Sequence, residues 1–117
     1  MPASVTPQQL YDALEPCVLD ALTIDVRERT AHLDLHVVNG GMPHRHSLSF
    51  TSVGRFRIDR PSTAAWDYVE LSEIIVEPSK ESPGQWRFWA ELWSEDSIEV
   101  IAERVLFDGS EVQKGAA

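Results

Sequence analysis

Gln85 to Trp93 reads Gln-Trp-Arg-Phe-Trp-Ala-Glu-Leu-Trp and holds three of the chain's four tryptophans. In an extended strand, successive side chains point to opposite faces. Trp86, Phe88, Ala90 and Leu92 then form one unbroken apolar row, and Arg87, Trp89, Glu91 and Trp93 form the other. A strand this aromatic belongs at the centre of a sheet, with its apolar row facing the core. The open question is what covers Trp89 and Trp93. A second core layer under a helix or an opposed strand is favoured over a bare patch, because large exposed aromatic patches are uncommon in monomers.

The rest of the chain supports such a sheet. Thr6-Pro7-Gln8-Gln9 is a helix start: Thr6 caps free amides, Pro7 suits the first turn, and Gln9 reaches back as in a capping box. Leu10 and Leu14 follow at helical spacing, and Pro16 marks a boundary, so a short helix over Pro7 to Glu15 is expected. From Leu22 the period becomes two. Leu22, Ile24 and Val26 alternate with polar residues; after a polar connection at Arg27 to Thr30, so do Ala31, Leu33, Leu35 and Val37.

Asn39-Gly40-Gly41-Met42-Pro43 is the strongest turn signal, read as a loop longer than a tight hairpin. His46, Leu48 and Phe50 resume alternation, and Phe56 and Ile58 continue it past Gly54, which predicts one long strand kinked near Val53-Gly54. A further strand runs from Trp66 to Val76, with a change of parity near Ser72 that a bulge explains. Ile98, Val100 and Ala102 begin the last strand, ending at Phe107. Residues 1–5 and the small, polar tail from Gly109 to Ala117 are expected to fray.

The sum is a single domain spanning residues 1–117, mainly β (α+β by strict count). One short N-terminal helix packs on a strongly twisted, six-stranded antiparallel meander, curled into a half-barrel or a sandwich.

Composition narrows the function classes. Ten Lys and Arg against nineteen Asp and Glu give a net charge of −9. Arg55, Arg57 and Arg60, on nearly alternate positions beside Asp59, are the densest basic cluster, so phosphate neutralisation and nucleic-acid binding are not expected. An acidic surface aids solubility and steers a basic protein partner. No apolar run approaches the roughly 18 residues that span a bilayer. No basic region followed by an apolar stretch opens the chain, and its single cysteine, Cys17, excludes an internal disulfide. A cytoplasmic location is expected, with no membrane role.

No enzyme constellation emerges. Cys17 sits in an apolar setting, and Ser47, Ser49 and Ser52 read as ordinary strand polars. There is no Gly-x-Ser-x-Gly, no phosphate-cradling glycine loop and no dinucleotide fingerprint, and so no cofactor is expected. All four histidines lie between His32 and His46. His32, Asp34 and His36 share one strand face, and an antiparallel pairing across the turn can bring His46 near His36. Such a set suits Zn²⁺; the competing reading is that an outward strand face simply carries polar residues. The candidate protein-binding residues are Asp67, Glu70, Glu73, Trp89 and Trp93. A homodimer through an edge strand or the aromatic face is compatible with the pattern.

Val18-Leu19-Asp20-Ala21-Leu22-Thr23-Ile24-Asp25, Phe50-Thr51-Ser52-Val53-Gly54-Arg55-Phe56, Glu70-Leu71-Ser72-Glu73-Ile74 within Trp66 to Ile74, and Ile98 to Val105 follow in an order that resembles YxiG-like domains and similar small bacterial immunity proteins. The resemblance covers Val18 to Phe107 through short, apolar motifs. Leu19 stands where that pattern usually has a histidine, so no role tied to that histidine carries over. The resemblance implies a small β-sheet inhibitor that binds a toxin and has no catalysis of its own.

Overall fold

In a computed structural model of the chain, residues 4–61, 69–92 and 95–113 are described. The elements are β1 (Ser4–Val5), α1 (Pro7–Leu14), β2 (Cys17–Asp25), β3 (Thr30–Asn39), β4 (Met42–Asp59), β5 (Val69–Pro78), β6 (Trp86–Leu92), β7 (Ser97–Phe107) and β8 (Ser110–Val112). The protein is mainly β with one short helix. The six long strands close into a ring in the order β7-β4-β3-β2-β5-β6, with β6 returning to β7. The ring is thus two three-stranded meanders, β2-β3-β4 and β5-β6-β7. The seam from β4 to β7 is long, running from Leu48↔Phe107 to Asp59↔Ser97. The seam from β2 to β5 is three pairs long, Cys17↔Leu71 to Leu19↔Val69.

The inner faces fill the ring. Trp86, Phe88, Ala90 and Leu92 are 0–2% exposed, as their alternation predicts. They share one core with Leu33, Leu35, Leu48, Phe50 and Val105. Phe50 and Phe88 meet across it with ring centroids 5.1 Å apart. Each such side chain contributes roughly 2–3 kcal/mol of transfer free energy.

Strand curvature comes from irregularities that the sequence flagged. The β4–β7 register shifts between Val53 and Arg55, at Gly54, and β4 runs unbroken for 18 residues through the bend. The left-handed residue there is Ser52 (φ 53°), not the glycine. The β5–β6 register shifts between Leu71 and Glu73, which is the parity change read at Ser72. The Asn-Gly-Gly turn is tighter than expected: Asn39 pairs Met42, and Gly40 and Gly41 (φ 64° and 80°) make a two-residue turn. Both positions need positive φ, which glycine adopts at little cost.

The helix closes the short seam. Thr6 and Gln9 form the capping box, and Leu10 and Leu14 are fully buried in the core. Past Leu71, β5 has, among the described residues, no strand on its β2 side, and α1 supplies hydrogen-bond partners there. Val76 N–H donates to Tyr11 Oη (2.7 Å), and that hydroxyl donates back to Val76 O (3.0 Å). Ile74 N–H donates to Glu15 Oε1 at 3.2 Å.

Within the two ends expected to fray, residues 4–5 and 110–112 form strands. Ser110–Val112 pairs with the end of β7, and Ser4–Val5 lies parallel against it. Val112 is 2% exposed, so an apolar residue in a polar tail is what holds the segment down. Trp66, Asp67, Tyr68 and Trp93 lie outside the described residues.

Replacing Tyr11 with Phe should lower unfolding free energy by about 1–3 kcal/mol, because it orphans the N–H and C=O of Val76. Urea denaturation measures this; an unchanged midpoint would mean that the hydroxyl does not close the ring.

Candidate functional site

The outer face of β2, β3 and β4 carries the histidines. His32, Asp34 and His36 alternate with the buried Ala31, Leu33 and Leu35. His32 bonds Ser49 Oγ through Nδ1 (2.9 Å) and Asp34 Oδ1 through Nε2 (2.9 Å). His36 Nδ1 lies 2.8 Å from both carboxylate oxygens of Asp20. A carboxylate only accepts, so Nδ1 carries the proton there. Asp20 reaches His36 because β2 bulges at it: Leu19 pairs Leu35, and Ala21 then pairs Asp34. Asp20, Asp34, His36, Arg45 and His46 line an open hollow of about 620 Å³.

His46 lines the same hollow but from the other strand parity. It pairs with Leu35, while His36 pairs with Arg45, so the register puts His46 on the inward parity at the rim of the ring. Its ring packs at a tilt of 31° against Phe107, centroids 5.2 Å apart, and its Nδ1 meets Asp108 Oδ2 at 2.7 Å. Asp108 also accepts from Ser47 N–H at 2.8 Å. The quartet His32, Asp34, His36 and His46 is therefore split between three separate pairings. Among the described residues, no three His, Cys, Asp or Glu side chains converge as a metal site.

Asp34, His32 and Ser49 form a carboxylate–imidazole–hydroxyl chain that the sequence reading passed over. In a hydrolytic triad such a chain also needs free N–H donors where the oxyanion forms. β4 is paired on both sides at Ser49, with His32 on β3 and Leu106 on β7, so its backbone is consumed by the sheet. The chain ties β3 to β4 across their outer surface. Asp20, Ser49 and Asp108 were missed because each depends on a pairing register; the nearest in sequence to its histidine, Asp20, is 16 residues from His36.

The second candidate surface is the outer face of β5-β6-β7. Trp89 is partly exposed between Ile75 on β5 and Glu99 on β7, its cross-strand neighbours. One row away stand Glu73 and Glu91, paired with each other. On the other side Arg87 bonds Glu99 (2.9 Å) and Glu77 (3.3 Å). The helix buries Leu10 and Leu14 in the interior instead, so Trp89 belongs to the surface and not to a layer under α1. Glu70 lies apart, at the β2–β5 seam opposite Val18. Of the proposed binding residues, Glu73 and Trp89 thus come together, Glu70 is set to one side, and Asp67 and Trp93 are outside the described residues.

Cys17 opens β2 and is 2% exposed. Burial, aided by the carboxylates of Glu15, Glu70 and Asp20, pushes its thiol up to about 12. It should therefore resist thiol reagents at pH 8 in the folded protein and react fully once urea unfolds it. The unfolded thiol loses its proton first, so stability is unaffected below about pH 9 and falls between about 9 and 12. Cys17→Ala should lack that alkaline decline; equal alkaline curves for the two proteins would refute the assignment.

Among known proteins, no family model matches the chain and no curated protein matches it. Among solved structures it is similar to an uncharacterized protein from Neisseria gonorrhoeae, with a TM-score of 0.59 and 12% identity. The likeness covers 79% of this chain and 89% of that one. At this identity it shows a shared fold and carries nothing about activity. No helix among the described residues is long and apolar enough to cross a membrane.

Proposed function

We propose that the chain is a non-enzymatic domain that acts by binding another protein. It meets a basic surface with the acidic outer face of β5 and β6 and anchors it on Trp89. The observation that carries this reading is a partly exposed tryptophan beside Ile75, with Glu73 and Glu91 one row away and Glu99 held by Arg87 on the other side. A large aromatic with an apolar neighbour and a polar surround is the usual composition of an interface anchor. The net charge of −9 favours approach of a basic partner. An immunity-like role, with the partner a basic toxin domain, fits both the charge and the order of motifs from Val18 to Phe107.

A metal- or small-ligand-binding domain on His32, Asp34, His36 and His46 has less support. His46 lies on the opposite parity, and each of the three histidines already holds a carboxylate.

Trp89→Ala should weaken the complex with the natural partner by roughly 2 kcal/mol or more, about 30-fold in Kd. The check is to capture the partner from the native host by cross-linking and titrate it with both proteins. A basic partner that loses affinity supports the reading; a partner held equally by both variants sinks it.

A further inference from the structure

Cross-strand pairing arranges the outer face of β5, β6, β7 and β4 in rows. Ile75, Trp89, Glu99 and Arg57 make one row. On one side of it run Glu73, Glu91, Ser97 and Asp59, which include three acids and no base. On the other side the charges are spent on one another. Arg87 bonds Glu99 and Glu77, while Arg55 bonds Glu81 at 3.3 Å and reaches Glu99 at 3.7 Å. Trp89 therefore stands at a boundary, with a neutralised network behind it and an acidic row in front.

The acidic row costs stability. Glu73 and Glu91 lie directly opposite each other, and like charges so placed destabilise a sheet. Neither carboxylate meets a cation among the described residues. Beside them Trp89 offers a partly exposed ring, with Ile75 across the strand pair. An aromatic face next to unpaired carboxylates is complementary to a cation carried on an apolar stem. Arginine fits that description better than lysine. Its planar guanidinium stacks on an indole and forks onto a carboxylate, whereas the lysine ammonium is a compact, strongly hydrated point charge.

We propose that Trp89 seats an arginine side chain of the partner protein. The guanidinium lies on the indole and turns toward Glu73 and Glu91, and its methylene stem runs over Ile75. Arg55 and Arg87 on the far side bias the cation toward the acidic row. The net charge of −9 favours a basic partner over a second copy of this chain. This names the anchoring chemistry of the surface proposed above and rests on that reading.

The probe is a short glycine-serine peptide with blocked ends and one central arginine, compared with matched peptides carrying lysine or citrulline. Binding is followed by NMR at the indole N–H of Trp89, identified by its loss in Trp89→Phe. The arginine peptide should give a saturable shift with a Kd on the order of 10 mM or tighter. Lysine should bind about threefold or more weakly, and uncharged citrulline should give no saturable shift. Glu73→Gln combined with Glu91→Gln should weaken the arginine peptide about threefold or more. Glu28→Gln combined with Glu103→Gln removes the same charge from exposed positions elsewhere and should leave the Kd unchanged at about 0.15 M salt. Equal binding of the lysine or citrulline peptide, a Kd unmoved by the Glu73 and Glu91 changes, or no shift of the Trp89 indole would overturn the proposal. A Trp89 resonance that moves with protein concentration alone would assign the face to a second copy instead. The natural partner separates the two readings. If it loses affinity on Trp89→Ala but not on Glu73→Gln with Glu91→Gln, the arginine seat falls and the protein-binding reading stands.

Discussion

The ring depends on how α1 meets the open edge of β5. Three residue pairs join β2 to β5, against a seam from Leu48 to Asp59 between β4 and β7. Beyond those pairs, the N–H of Ile74 and both main-chain groups of Val76 lie at the strand edge and need partners there. Each left without one costs about 1–3 kcal/mol. The Glu15 carboxylate and the Tyr11 hydroxyl take them up. For this, α1 must start at a fixed point. The Thr6–Gln9 capping box sets that start, and Leu10 and Leu14, one turn apart, pin the same helix into the core. Capping, packing and ring closure are thus one constraint expressed at three places.

Local chemistry was legible in the sequence. The aromatic row from Trp86 to Leu92 declared its core side by alternation alone. The capping box, the bend at Gly54 and the parity change at Ser72 each follow from a rule that acts over a few residues. The order of the strands does not. Pairing of β4 with β7 joins residues as far apart as Leu48 and Phe107, and no spacing announces it. The tail was misjudged for a related reason: Val112 looks like one apolar residue in a polar stretch until β7 and Val5 are beside it.

The candidate surfaces were half legible. Period two put His32, Asp34 and His36 on one face correctly, because the buried Leu33 and Leu35 fix that face. His46 went astray through a single step of register, which moves a side chain to the other side of a sheet. The tight Gly40-Gly41 turn sets Leu35, not His36, opposite His46. The aspartates that hold His36 and His46 were invisible: one is delivered by a bulge, and the other by the turn after β7. Trp89 was placed on the correct strand face, but its covering was not readable, since nothing local says where an eight-residue helix will dock.

The bulge at Asp20 links these themes. An extra residue there turns the aspartate toward His36 and coincides with the point where β2 leaves β5. The same irregularity therefore ties β2 to β3 across their outer surface through the Asp20–His36 pair. Edge strands are commonly blunted by proline, lysine or a covering segment. Past Leu71, β5 follows that practice through Tyr11 and Glu15. The β2 segment from Asp20 to Asp25 carries no proline or lysine and holds Ile24 beside an apolar hollow, with a carboxylate at each end. Ile24 and Val26 are thus large apolar side chains that the hairpin holds outside the core, 42% and 84% exposed.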